Sequence, residues 1–216
     1  MIPARMGSQR LPKKNLANFM GIPLIEHAIK RCLDANCFDH IVLNSEDVSL
    51  KSISDRNCIN FYHRKAELAN HHSTSEDFIA DYFKKSNCDQ LFQVHSITPL
   101  LKPESIRSFV DFCIKSEFDT VLSNVEDKIE VAYQDQPVNF SYEIKTNSQN
   151  LKPLQRITWS ITYWRRDTFL KYHDKYNCGT YSGKIGYFTV PLYSGLAIKT
   201  QTDLEVAQLL REKNIA

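Results

Sequence analysis

No two of the six cysteines are spaced C-x-x-C, no apolar run approaches the length of a membrane span, and the first 25 residues contain no acidic side chain. Each absence excludes something. Without a C-x-x-C pair, Cys32, Cys37, Cys58, Cys88, Cys113 and Cys178 read as reduced thiols in or beside apolar segments, not as zinc ligands or disulfides. A bilayer span needs about 20 apolar residues, so no membrane association is expected. The N-terminal residues reach Arg5 almost at once and lack the apolar segment of a secretory leader, so a cytoplasmic protein is expected. Internal repeats and low-complexity tracts are missing too. Glycine is scarce, six residues in 216, and the Walker phosphate loop Gly-x-x-x-x-Gly-Lys-Ser/Thr does not occur.

Charge is ordinary in amount and uneven in place. A net charge of +2 gives no reason to expect a nucleic-acid surface. Arg5, Arg10, Lys13 and Lys14 nevertheless stand in the acid-free opening segment, so the rest of the chain carries −2. A local anion site near the N-terminus fits this distribution better than a broad basic face.

Apolar patterning in the first half alternates strand and helix. A strand end is predicted at Met1–Ala4, then a helix over Leu24–Ala35 with Ile25, Ala28, Ile29, Cys32 and Leu33 on one face. His40–Asn44 and Gln90–Val94 read as short strands of a buried parallel sheet, with Asn60–His63 beside them and Val48–Arg56 helical. Ser73 and Glu76 suggest a capping box before a helix carrying Phe78, Ile79, Tyr82 and Phe83, Pro103 opens another helix, and Thr120–Asn124 is a fifth strand. The expected architecture is a single α/β domain over 1–216: a three-layer α/β/α Rossmann-like domain with a largely parallel sheet. Ligands then collect at the carboxyl ends of the strands, in the loops starting at Arg5, Asn44, His63 and His95.

After residue 125 the pattern changes. Val131–Tyr133 and Ile157–Tyr163 read as antiparallel strands, flanking a polar segment, Gln134–Pro153, poor in core residues. Residues 126–165 are expected to form a small antiparallel excursion, whose polar arm is either a surface loop or an element that gains its burial from another subunit. Tyr187–Val190, Leu196–Ile198 and a last helix from about Thr202 complete the chain.

The chemistry is concentrated in Ile2–Asn15. Gly7 allows a tight turn and close approach of backbone N–H groups to an anion, and Ser8 adds a hydroxyl. Arg5 and Arg10 suit bidentate phosphate contacts and Lys14 a point-charge contact. Arg5, Gly7, Ser8, Arg10, Leu11, Pro12, Lys14 and Asn15 fall at the places of a signature, Arg-x-Gly-Ser-x-Arg-hydrophobic-Pro-x-Lys-Asn after Ile-Pro-Ala. In this the chain resembles the acylneuraminate and related sugar-acid cytidylyltransferases. Arg64–Ala69, Gln93 with Thr98–Leu100, Ser148–Leu151 and Thr200–Ala207 resemble further elements of that family, so the likeness covers essentially the whole chain.

The resemblance implies attack by the anomeric hydroxyl of an eight- or nine-carbon keto-sugar acid on the α-phosphate of CTP, with release of pyrophosphate, for surface glycan biosynthesis. It implies a nucleotidyltransferase fold, Mg²⁺ and a homodimer, with the 126–165 excursion serving dimerisation on the acceptor side. Arg5 and Lys14 would be catalytic. Gly7, Ser8, Arg10, Asn15, Arg64 and Ser75 would bind nucleotide, with Gln93 at the sugar-facing edge. A non-catalytic nucleotide-binding homologue and a transferase for another acceptor are the alternatives, because the family's metal aspartates before the last helix fall on Ala197 and Lys199, neither able to ligate a hard cation. Asp47 reads as a helix-capping acid. His95 lies on an expected site loop with no acid–base role assigned. His71 and His72 read as exposed. Trp159 and Trp164 suit a core or interface better than base stacking.

Overall fold

The computed structural model describes residues 1–70 and 73–215; His71 and His72 lie outside the described residues. The strands are β1 (Ile2–Pro3), β2 (Asn18–Phe19), β3 (Ile22–Pro23), β4 (Val42–Ser45), β5 (Asn60–His63), β6 (Gln90–Val94), β7 (Thr120–Asp127), β8 (Ala132–Tyr133), β9 (Gln136–Pro137), β10 (Leu154–Arg165) and β11 (Ile185–Thr189). The α-helices are α1 (Leu24–Ala35), α2 (Lys51–Arg56), α3 (Ser75–Lys85), α4 (Pro103–Lys115), α5 (Arg166–Tyr176) and α6 (Gln201–Glu212).

One twisted sheet runs β5-β4-β1-β6-β10-β7-β11. β1 pairs in parallel with β4, and Met1 joins it to β6 by donating its amine to Phe92 C=O (2.7 Å) and accepting Val94 N–H (3.0 Å). β10 runs antiparallel to both β6 and β7, while β11 is parallel to β7. Ile25, Ala28 and Ile29 of α1 and Ile106, Phe109 and Val110 of α4 fill one side of the sheet. Ile79 and Phe83 of α3 and Phe169 of α5 fill the other, against Leu91 and Trp164. This is the expected α/β/α sandwich. A third cluster, Leu11, Phe19, Leu24, Leu100, Ile198, Leu204 and Ala207, seats α6 on the N-terminal loop. Leu33, expected on the apolar face of α1, is exposed instead.

The second half departs from the sequence reading. Residues 154–165, expected within the excursion, form the long strand β10 in the middle of the sheet. Their predicted alternation breaks because the register slips between Ile157 and Thr162, so that residues 158–161 oppose Ser123 alone. Trp159 takes φ 58° in this bulge, the kind of strained position that clusters at functional sites. Hydroxyls satisfy the disrupted ladder: Ser123 Oγ lies 3.1 Å from Thr158 Oγ1 and accepts Ile161 N–H (3.1 Å), and Ser160 Oγ donates to Ser194 C=O (2.8 Å). Gly195 lets that turn close on the bulge, since a Cβ there would lie 2.6 Å from Thr158 Cγ2. The polar arm is thus confined to about 128–153, with β8 and β9 a hairpin whose turn residues, Gln134 and Asp135, take positive φ as a type I′ turn requires.

Helix α5 is absent from the sequence reading because Phe169 is its one buried residue and its other side chains are mostly polar. Leu196–Ile198 is no strand; Ile198 N–H is held by Ile97 C=O (2.7 Å). The capping box of α3 is one residue later than expected, Thr74 with Asp77. Glu76 is free of it and instead accepts the N–H groups of Gly179 (2.6 Å) and Thr180 (3.1 Å) from inside the protein. Cys32 and Cys113 are core residues as read, whereas Cys58 is exposed.

Glu76 therefore ties α3 to the chain after α5. Glu76→Ala leaves two buried N–H groups unpaired, and a loss of about 2–3 kcal/mol in urea unfolding free energy is expected. A loss below about 0.5 kcal/mol would assign the carboxylate no such role.

Candidate functional site

The loop between β1 and the 3-10 turn Lys14–Leu16 is shaped by three anchors. At its start, Met6 N–H donates to Glu46 Oε1 (2.8 Å). Next, Gly7 centres a three-residue turn closed by Ser8 N–H to Met6 C=O (2.9 Å). At its end, the buried Asn15 amide donates to Arg5 C=O (2.9 Å) and accepts Ser96 Oγ (2.7 Å). Leu11 sinks into the α6 cluster between them. With the backbone held by neutral and acidic partners, the basic side chains are left over. Arg5, Arg10 and Lys14 form no ion pair among the described residues.

These side chains line a cleft of about 390 Å³ at the carboxyl ends of β1, β5 and β6. Its walls are Arg5, Ser8, Arg10, Lys14 and Asn15 from the loop, Arg64 from the chain after β5, Thr74 and Ser75 from the start of α3, His95 and Ser96 after β6, and Lys199 before α6. Among the described residues no carboxylate lines it. The N-terminus of α3, with its partial positive charge, adds to the same field. Lys14 feels this arrangement directly. Its pKa is drawn down by burial first, then by Arg10, Arg5 and Lys199, with Asp203 opposing.

Arg64 lies at the back of the cleft and is committed. It is 3% exposed; its Nη2 donates to Ala4 C=O (3.0 Å) and to Glu46 Oε2 (2.9 Å), and its Cζ sits 4.8 Å over the Phe78 ring. Burial lowers its pKa and the Glu46 carboxylate works against that. His95 is partly buried beside Lys14, with Nε2 3.0 Å from Gln93 Oε1. Burial, and then the charge of Lys14, holds its pKa down to about 4, so the ring is neutral at neutral pH.

Of the nine residues expected at the site, Arg5, Ser8, Arg10, Lys14, Asn15, Arg64 and Ser75 line the cleft. Gly7 shapes the loop from outside the wall. Gln93 is 1% exposed and meets the cleft only through His95, because it lies on the buried face of β6 opposite Thr162. Asn15 and Arg64 act as anchors, the Asn15 amide and both Nη atoms of Arg64 being taken by the protein. Sequence reasoning overlooked Glu46 and left Thr74 and Ser96 aside. Glu46 stands beside the conspicuous Asp47, which caps the turn after β4 through Ser49 N–H (2.9 Å) as expected.

A second cavity, of about 610 Å³, adjoins the cleft and shares Ile97 and Lys199 with it. It is lined by the β10 bulge (Arg156, Thr158, Trp159), Tyr193 and Ala197. The residues present do not fit a divalent cation, which takes several oxygen ligands with carboxylates foremost. Glu46 is paired with Arg64, Asp203 caps α6 by accepting Lys199 and Thr200 N–H (both 2.8 Å), and Ala197 offers a methyl group. Among the described residues no cluster of three metal-binding side chains occurs.

The depressed pKa of His95 has a consequence for stability. An unfolded histidine titrates near 6.5 and this one near 4, so the folded state binds fewer protons and stability is full above pH 6.5 and lost as pH falls toward 4. Between pH 6.5 and about 5, above most carboxylate titration, the unfolding free energy is expected to fall less steeply in His95→Gln than in the parent chain. Parallel slopes would overturn the assignment.

The cytidylyltransferase family model matches residues 1–216. The pseudaminic acid cytidylyltransferase of Campylobacter jejuni is 24% identical, over 99% of this chain and 96% of that protein. The N-acylneuraminate cytidylyltransferase of Streptococcus agalactiae is 26% identical, over 84% of this chain and 46% of its own length. Among solved structures, a CMP:2-keto-3-deoxy-manno-octonic acid synthetase complexed with CTP superposes with a TM-score of 0.71 at 18% identity, covering 99% of this chain and 97% of that one, a likeness of fold. With the basic loop, the carboxylate-free cleft and a family match along the whole chain, this protein belongs to the cytidylyltransferase family and is a nucleotidyltransferase.

Proposed function

We propose that the chain transfers CMP from CTP to an eight- or nine-carbon keto-sugar acid, releasing pyrophosphate, as a step toward surface glycans. The observation that carries this reading is the convergence of four cations free of ion pairs, Arg5, Arg10, Lys14 and Lys199, on one cleft with no carboxylate in its lining among the described residues. Such a set is repulsive by itself: beyond the effect of burial, which comes first, Arg10, Arg5 and Lys199 each lower the Lys14 pKa, and a triphosphate turns the repulsion into attraction. Names of relatives support the acceptor class: they act on pseudaminic acid and N-acylneuraminate.

The reaction needs position and charge neutralisation more than covalent help. The anomeric oxygen forms a bond to the α-phosphorus as the bond to the β-phosphate bridging oxygen breaks, and the hydroxyl proton is released. Arg5 and Lys14 stabilise negative charge moving onto the leaving pyrophosphate, and Ser8, Arg10 and Ser75 hold the remaining oxygens. Asn15, Arg64 and Gln93, the last through His95, keep these groups in place. The acceptor is assigned to the second cavity, beside the Trp159 bulge, where Arg156 provides positive charge for a carboxylate. Arg156 is bound to Asp127 at 2.6 Å and half exposed, so it can turn toward a ligand at little cost. Tyr133, Tyr142 and Ile144 are more than two-thirds exposed on the 128–153 arm, an apolar set suited to a second copy of the chain. Among the described residues no helix is long and apolar enough to cross a membrane.

Pyrophosphate release measured with CTP and a panel of keto-sugar acids tests the reaction. Release is expected with CTP and not with ATP, GTP or UTP, and Lys14→Ala is expected to lower kcat/KM by about 100-fold, the scale of one lost charge-stabilising donor. CTP binding without release for any acceptor would leave a nucleotide-binding protein and overturn the transfer reaction. Light scattering tests the arm: a dimer is expected, and Tyr142→Glu with Ile144→Glu is expected to yield monomers.

A further inference from the structure

Among the described residues Lys199 is the one cation that lines both cavities. It comes from the chain just before α6, next to Ile198, which packs in one cluster with Leu11 of the basic loop, and its backbone is fixed there because Asp203 Oδ2 accepts its N–H at 2.8 Å. Its side chain is exposed and enters no ion pair among the described residues. Asp203, whose field it shares, is occupied at the helix cap by Lys199 and Thr200 N–H groups and returns a hydrogen bond only through its own N–H to Thr200 Oγ1 (3.2 Å). Within the same cleft, Lys14 lies close enough to feel the positive charge of Lys199.

A nucleotidyl-transfer site must gather the negative charge of the β- and γ-phosphates, and a bound divalent cation is one way of doing so. Here the side of the cleft next to α6 presents the Lys199 ammonium, the adjoining cavity adds the Ala197 methyl group, Glu46 is paired with Arg64, and Asp203, which lines that adjoining cavity, caps α6 through Oδ2. We propose that the Lys199 ammonium acts as the built-in cation of the site, bridging to the β- and γ-phosphates from the α6 side of the cleft, so that the cleft takes the nucleoside triphosphate free of metal in preference to its magnesium complex. This rests on the nucleotide reading of the cleft.

The direction of the preference follows from charge. Magnesium on the triphosphate cancels two of its negative charges and adds a strongly hydrated ion that must fit among Arg5, Arg10, Lys14 and Lys199. No carboxylate of the cleft lining, among the described residues, rewards its entry. Free triphosphate meets the same four cations with its full charge, and lysine serves it as a point charge that any phosphate oxygen can accept.

Calorimetric titration of the full chain with CTP, once in EDTA and once in excess Mg²⁺, tests the proposal, with CMP as a ligand lacking the β- and γ-phosphates. CTP is expected to bind in EDTA at least as tightly as in Mg²⁺. Lys199→Ala is expected to weaken CTP in EDTA by about tenfold, one lost charge-assisted contact, and to leave CMP affinity within about twofold, which also reports that the cleft is folded. Lys199→Asp is expected to reverse the metal response, so that Mg²⁺ tightens CTP. Tightening of CTP by Mg²⁺ in the parent chain beyond about threefold, or an unchanged CTP affinity in Lys199→Ala, would overturn the proposal and leave the nucleotide reading standing. Failure of both CTP and CMP to bind in either buffer would overturn the nucleotide reading itself, and this proposal with it.

Discussion

The buried pair of Arg64 and Glu46 is the contact on which the site depends. One guanidinium joins the end of β1 through Ala4 C=O, the loop after β4 through Glu46, and α3 through the Phe78 ring. Glu46 carries the link onward to Met6 N–H, the first fixed point of the basic loop. Neither charge is cheap to bury. A guanidinium 3% exposed is tolerable here because a carboxylate and a carbonyl meet it at hydrogen-bond distance, and removing one partner would strand the other. The pair therefore specifies geometry more than it adds stability: it sets where three strand ends and one helix stand relative to the anion cleft.

Around this pair the loop is divided between groups that hold it and groups that act. Asn15, Met6 N–H, Leu11 and Ser96 spend their contacts on the fold, and Arg5, Ser8, Arg10 and Lys14 are left facing solvent in the cleft. Anchors that leave the cleft lining free of acid are what permit unpaired cations: Glu46 is spent on Met6 N–H and Arg64 outside that lining, and a carboxylate pinning the loop from inside the cleft would have cancelled the field meant for a ligand. The β10 bulge obeys a similar economy. Ser123, Thr158, Ser160 and Ser194 satisfy one another where ladder bonds are lost, and the strand can open a second cavity beside Trp159 without leaving the sheet.

The first half of the fold was legible because each of its elements buries a periodic face. Leu24–Ala35 repeats apolar residues at helical spacing, and Val42–Ser45 is buried on both sides, so local pattern and tertiary environment agree. The second half was less legible for the same reason. Helix α5 buries only Phe169 and shows too little stripe to be seen, while the alternation of Ile157–Tyr163 suggested a regular strand that the slip at Ser123 interrupts. At the site, Arg5, Ser8, Arg10 and Lys14 were readable as a cluster contiguous in the chain. Glu46 and Gln93 were not, since the role of one and the burial of the other depend on residues far away in sequence.

The sequence by itself determined that a basic, acid-free loop follows a first strand, and that this loop matches a cytidylyltransferase signature, because phosphate recognition from one loop is encoded within a dozen consecutive residues. It also determined the absence of aspartates at positions 197 and 199. Only the tertiary structure decided which of these residues grip and which brace, that Asn15 and Arg64 are held by the protein, and that Lys199 joins Lys14 in one cleft. Those distinctions rest on which partners reach each polar atom, and partners 18 to 185 residues away in the chain are brought within hydrogen-bond or Coulomb range only by the packing of the sheet and of α6.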